Sequence, residues 1–131
     1  MRIILITFTF FITLTCFSQT QSDLNKKANE AFQTADNELN VIYKKILSDY
    51  KTDTLFIKNL KASQRIWITF RDAELKVKYP ETESGYYGTV YPMCASIYLE
   101  KLTEDRIKKL KEWLDGIEEG DVCIGSVKNK E

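Results

Sequence analysis

The sequence predicts an all-α protein: an antiparallel three- to four-helix bundle with a long aromatic loop and a disulfide-pinned C-terminal tail. Three observations carry that expectation. Apolar residues recur at steps of three and four along several stretches, short polar connections join those stretches, and no repeat or linker divides the chain. With 131 residues, 44% hydrophobic and 29% charged, one core is enough.

The chain opens with Met1-Arg2 and the uncharged run IILITFTFFITLTCF, then turns polar at Ser18-Gln19-Thr20-Gln21. The run is shorter than the roughly 20 residues a membrane-spanning helix needs. It reads as a secretory signal peptide over residues 1–18, cleaved after Ser18, with no stable membrane span left behind. Lipidation of Cys16 is the competing expectation, disfavoured by Thr15, where a lipoprotein signal places Gly, Ala or Ser. Cleavage leaves one domain over residues 19–131 and removes Arg2 from the 19 basic residues, so that 18 face 19 acidic ones. It also removes one of the three cysteines, leaving Cys94 and Cys123. In an oxidising compartment such a pair implies a disulfide. Closing a loop of about 30 residues, it would contribute roughly 3–4 kcal/mol.

From Leu24 to Tyr50 the apolar positions Leu24, Ala28, Phe32, Ala35, Leu39, Ile42, Ile46 and Tyr50 define an amphipathic helix about 40 Å long. Lys51 to Thr54 is a polar break in which Asp53 or Thr54 can cap a second helix, Leu55 to Lys78. There Phe56, Leu60, Trp67 and Phe70 occupy one side, while Ile57, Ile66, Ile68, Ala73 and Val77 spread over much of the remainder. A stripe that wide implies two neighbours. The periodicity stops at YPETESGYYGTVYP, residues 79–92, which holds both prolines, two of the five glycines and four of the seven tyrosines. Pro92 suits the first turn of a third helix whose stripe is Tyr98, Leu99, Leu102, Leu110, Trp113, Leu114 and Ile117. Leu102-Thr103 is a candidate kink or restart, and Gly116 and Gly120 end the helix. The tail bearing Cys123 is expected to return to the start of the third helix at Cys94.

Composition excludes several functions. A net charge of zero and a pI near 6.4 give no basic footprint for nucleic acid. The absence of histidine excludes Ser-His and Cys-His catalysis and removes the commonest zinc ligand. The acidic run Glu118-Glu119-Asp121 lacks the spacing of a calcium loop, so no metal or cofactor is expected.

Arg71 and Arg106 fall where the helical period places core. A buried guanidinium needs a carboxylate or carbonyl partner, and Asp36, Glu38 and Asp72 are the candidates. A polar network joining the helices, completed by Asn40 and Gln64, is therefore expected. Glu38 and Asp72 could also be read as a glycosidase pair. Neighbouring arginines would hold both ionised and leave no proton donor, so the chain is not expected to be an enzyme.

The run Ala35-Asp36-Asn37-Glu38-Leu39-Asn40, then Tyr43, then Gln64-Arg65 with Trp67 and Phe70-Arg71-Asp72-Ala73, and finally Leu102-Thr103 with Arg106 and Leu110, resembles the LprI-like lysozyme-inhibitor domain family. The likeness spans roughly residues 24–115, and its most specific part is the QR-x-W-x-x-F-RDA segment. The resemblance implies a small helical envelope protein, periplasmic or secreted, and for some members inhibition of lysozyme. Many such proteins carry further cysteines early in the first helix and just after the RDA motif, where this chain has Glu74 and Leu75; one disulfide is then expected in place of two.

Two functions follow. The first is a lysozyme inhibitor that occludes the enzyme's cleft. Tyr86 and Tyr87, between Gly85 and Gly88, would be its aromatic anchors, and Glu81 and Glu83 would meet a basic rim. The second is a binding or scaffolding module for another envelope protein, without effect on lysozyme.

Overall fold

The computed structural model describes residues 20–130; the expected signal peptide, its cleavage site at Ser18 and Cys16 lie outside them. The described residues form three helices, α1 (Gln21–Asp49), α2 (Thr54–Lys78) and α3 (Tyr91–Asp115). Among the described residues there is no strand, only an isolated backbone bridge between Ile117 and Asn129. No described helix is long and apolar enough to cross a membrane.

Local chemistry sets the boundaries. The Thr20 hydroxyl accepts from the Asp23 N–H at 3.2 Å while the Asp23 carboxylate accepts from the Thr20 N–H at 3.2 Å, so α1 begins earlier than its first large apolar residue, Leu24. After Tyr50, the Asp53 N–H donates to the Tyr50 carbonyl at 2.9 Å, and the Asp53 side chain accepts from the Phe56 N–H at 2.9 Å. Asp53, not Thr54, is therefore the cap of α2. Pro92 sits in the first turn of α3, where a missing N–H costs no helical bond. The expected restart at Thr103 does not occur. Thr103 is fully buried, but its hydroxyl donates to the Leu99 carbonyl at 2.8 Å, so α3 runs through without a break and the bundle has three helices.

Contacts at the two ends fix the directions. At the start of α1, the Asn25 side chain donates to the Thr89 carbonyl at 3.0 Å; at its end, the Tyr50 hydroxyl donates to the Trp113 carbonyl at 3.1 Å. Helices α1 and α3 are thus parallel. Helix α2 runs against both: Phe56 at its start meets the Tyr50 ring at 4.5 Å, and Glu74 near its end accepts from the Tyr98 hydroxyl at 3.4 Å.

The main core is Ala35, Leu39, Ile42, Ile46, Tyr50, Leu60, Ile107 and Leu110, with Phe56, Trp67 and Trp113 packed around it. Helices α1 and α3 make the most extensive contact of the bundle. Small residues on their facing sides, Ala28, Ala35, Ala95, Ser96 and Thr103, are buried there. Helix α2 buries only Leu60 and Gln64 fully. Its wide apolar stripe is not covered as its breadth implied, and Phe70 does not share the inward side with Trp67: Ile66, Phe70 and Val77 are 69%, 50% and 73% exposed.

The tail overturns another expectation. Cys94 and Cys123 are free thiols, the first half-buried and the second exposed. Cys94 lies beside Tyr79 in the first turn of α3, whereas the tail folds over the opposite end. Cys94 and the end of α3 at Asp115 are separated by roughly 30 Å at 1.5 Å per residue, far beyond the reach of a disulfide. The tail is held instead by the Ile117 N–H to the Lys128 carbonyl at 3.0 Å and the Lys130 N–H to the Ile117 carbonyl at 2.9 Å. The Trp113 indole N–H also donates to Ser126 Oγ at 3.0 Å, and Val127 is buried. Gly116 makes this return possible. Its φ of 74° and ψ of 175° belong to a region open essentially to glycine, and a Cβ would stand 2.9 Å from the Lys128 carbonyl oxygen.

Two outcomes test this arrangement. Urea unfolding should show the same midpoint with and without reductant, since no disulfide contributes. Gly116→Ala should destabilise by about 1–3 kcal/mol.

Candidate functional site

On the inner side of α2, Gln64, Trp67 and Arg71 follow one another at helical spacing. The Arg71 guanidinium lies 5.5 Å from the centre of the Phe32 ring and 5.3 Å from that of Trp67, while Arg106 of α3 lies 5.9 Å from the Trp67 ring. One indole thus receives two cations. Arg71 Nη1 donates to Asp36 Oδ1 at 3.0 Å and its Nε to Asp72 Oδ1 at 3.0 Å; Asn40 Nδ2 adds a bond to Asp36 Oδ2 at 3.4 Å. Arg106 is served differently. Its Nε donates to Gln64 Oε1 at 3.1 Å and its Nη2 to Ser63 Oγ at 3.0 Å, both neutral groups. Burial lowers its pKa from the usual guanidinium value. Glu38 pairs with Lys111 at 2.8 Å on the exposed side of the α1–α3 seam.

With Lys111 added, the seven polar residues singled out in the sequence form three links, one for each pair of helices. Asp36–Arg71 joins α1 to α2, Gln64–Arg106 joins α2 to α3, and Glu38–Lys111 joins α1 to α3. Glu38 and Asp72 are each engaged by a cation of their own and are not brought together as an acid and base pair. Among the described residues no buried side-chain nitrogen or oxygen lacks a hydrogen-bond partner. The stacking on Trp67 was missed in the sequence, although its signal was present: an aromatic residue four positions before an arginine on one helical side.

The other candidate is the loop between α2 and α3. The Tyr86 N–H bonds to the Glu83 carbonyl at 3.1 Å, in a turn whose third residue, Gly85, has positive φ; the Gly88 N–H bonds to the Gly85 carbonyl at 2.9 Å, and Gly88, also at positive φ, ends this second turn. Tyr87 is the hub of the loop. Its ring lies 5.4 Å from Tyr79, 5.0 Å from Tyr86 and 5.6 Å from Tyr91, and its hydroxyl donates to the Pro80 carbonyl at 2.9 Å. Tyr86 leans edge-on against Tyr87 and is otherwise outward, 70% exposed. Glu81 and Glu83 are exposed along the same segment. Together they line a depression of 350 Å³ with acidic and phenolic edges. Such a surface can offer hydrogen bonds, aromatic contact and negative charge to a partner.

The features above define a class: a small all-helical domain whose polar centre is tied up in holding its helices together and whose free chemistry lies on its surface. The sequence model of the lysozyme inhibitor LprI family matches residues 16–110, and the chain belongs to that family. An uncharacterised protein of Rhizobium meliloti (strain 1021) is 30% identical over 109 residues, covering 75% of this chain and 76% of its own length. No solved structure matches the chain.

If the indole organises both arginines, its loss should be felt widely. Trp67→Ala should cost about 3–5 kcal/mol, and Arg71→Lys, which keeps the charge but not the planar fork, about 1–2 kcal/mol. Lys111→Ala, which removes an exposed pair, should cost less than about 1 kcal/mol. Chemical denaturation of the three variants checks the order.

Proposed function

We propose that the protein is an exported, periplasmic or secreted inhibitor of lysozyme-type muramidases, acting without catalysis by placing its 79–92 loop in the enzyme's cleft. Membership of the lysozyme inhibitor LprI family carries this reading. The loop supports it physically. Tyr86 is a large, rigid, outward side chain, held in place by Tyr87, Gly85 and Gly88, so little conformational entropy is lost when it docks. Glu81 and Glu83 flank it with negative charge suited to a basic enzyme. In this division Tyr86, Glu81 and Glu83 make the contact, while Tyr87 braces the loop from within.

A second reading, a scaffolding module for another envelope protein, draws on the same exposed loop. Lysozyme turnover of a cell-wall suspension separates the two. Inhibition should appear at about micromolar protein, and Tyr86→Ala should weaken it about 10-fold or more with unchanged thermal stability. Tyr87→Ala should weaken inhibition and also lower stability, because it removes the braces. Full lysozyme activity in the presence of the wild-type protein would falsify the inhibitor reading.

A further inference from the structure

The outward side of α2 is apolar from Ala62 to Val77, with Leu55 one further apolar residue beyond the exposed Asn59. Leu55, Ala62, Ile66, Phe70, Ala73 and Val77 are all exposed, and at 100° per residue they fall on one stripe roughly 33 Å long. The helices α1 and α3 lie on the other side of α2, where Gln64, Trp67 and Arg71 face them. An exposed apolar strip of this extent marks an interface. A shallow depression of about 400 Å³ lies on it, lined by Arg65, Ile66, Thr69, Phe70 and Ala73.

We propose that this stripe is the interface of a homodimer in which α2 packs antiparallel on α2 of a second copy. The stripe is self-complementary. A two-fold axis passing between Thr69 and Phe70 sets Ile66 against the partner's Ala73, Val77 against the partner's Ala62 and Phe70 against the partner's Thr69. Ile66, Phe70 and Val77 then each meet a smaller side chain, as interdigitating helices require, while Leu55 lies beyond the overlap. Thr69 can be covered without penalty, since its hydroxyl already donates to the Arg65 carbonyl at 3.2 Å. Charge agrees with shape. In an antiparallel pair the same flank of each helix faces its equivalent, and Arg65 and Asp72 share one flank, on either side of the axis. Each Arg65 therefore comes within reach of the partner's Asp72. Arg65 makes no ion pair among the described residues, and Asp72 uses only Oδ1 on Arg71, leaving Oδ2 free. The axis also sends the two 79–92 loops to opposite ends, so that a dimer presents both.

Sedimentation equilibrium in reductant, which prevents any bridge through Cys123, tests the proposal. A single helix pair is small beside the roughly 1,200–2,000 Å² of a standard interface, so dimers are expected at about 10–100 µM. Ile66→Glu with Phe70→Glu should raise the dissociation constant more than about 100-fold with unchanged helical circular dichroism, because both side chains are exposed in the monomer. Arg65→Glu alone and Asp72→Lys alone should each dissociate, and an equimolar mixture of the two should re-form a dimer, since opposite charges then meet at both contacts. A monomeric wild type at about 500 µM overturns the proposal. So does a dimer indifferent to the Ile66/Phe70 change, or a charge-swapped mixture that stays monomeric. None of these readouts depends on lysozyme.

Discussion

The bundle depends on how it accommodates two arginines at its waist. Trp67 lies between Arg71 and Arg106, and Phe32 closes the other side of Arg71. A guanidinium is planar and weakly hydrated, so its faces can rest on aromatic rings while its edge satisfies carboxylate or carbonyl oxygens. Stacking and hydrogen bonding are thus perpendicular and do not compete. Arg71 gives its edge to Asp36 and Asp72, and Arg106 gives its edge to Gln64 and Ser63. Because Phe32 belongs to α1, Trp67 to α2 and Arg106 to α3, one stack fixes the register of all three helices.

That waist divides labour between the ends. The aliphatic core gathers where α1 and α3 end and α2 begins, around Ile46, Tyr50, Leu60 and Leu110, and the tail closes over it through Gly116 and Trp113. The other end has small residues between α1 and α3, and its large side chains are the tyrosines of the loop. Stability is therefore concentrated away from the surface that recognition would use. A loop supported by ring contacts among Tyr79, Tyr87 and Tyr91 keeps its shape without drawing on the main core.

The helices were legible in the sequence because each buries one side, and burial is what writes a 3.6-residue period. The cap at Thr20 was legible in principle, since Thr20 and Asp23 have capping-box spacing, but a search keyed to apolar residues begins at Leu24. Phe70 and Arg71 show where periodicity is ambiguous. Only one of two adjacent residues can point inward, and hydropathy favours Phe70; the structure turns Arg71 in, because Asp36 and Phe32 wait for it on α1. The cysteine pairing failed for a different reason. Counting thiols takes no account of a straight helix that holds them at opposite ends, and the closure a disulfide would have supplied is made by backbone bonds around Gly116. In the loop, composition marked Tyr86 and Tyr87 equally, and only three-dimensional packing separates the one that braces from the one that is free.

The α2 stripe is broader than its packing against α1 and α3 can cover. Read from the sequence it asked for two neighbours, and among the described residues α2 is covered on one side only. An amphipathic helix gains most of its stability from covered apolar surface, so an outward row containing Ile66, Phe70 and Val77 contributes little to folding the monomer. Those residues would be expected as lysine or glutamate if solvent were their only environment. Their size alternates with Ala62 and Ala73 in the order a two-fold axis requires, and Arg65 and Asp72 lie on the flank that such an axis brings together. The loop and the stripe do not overlap: one caps the end of the bundle, the other runs along its side. A partner held at the loop leaves α2 free, so recognition and self-association can proceed on the same molecule at the same time.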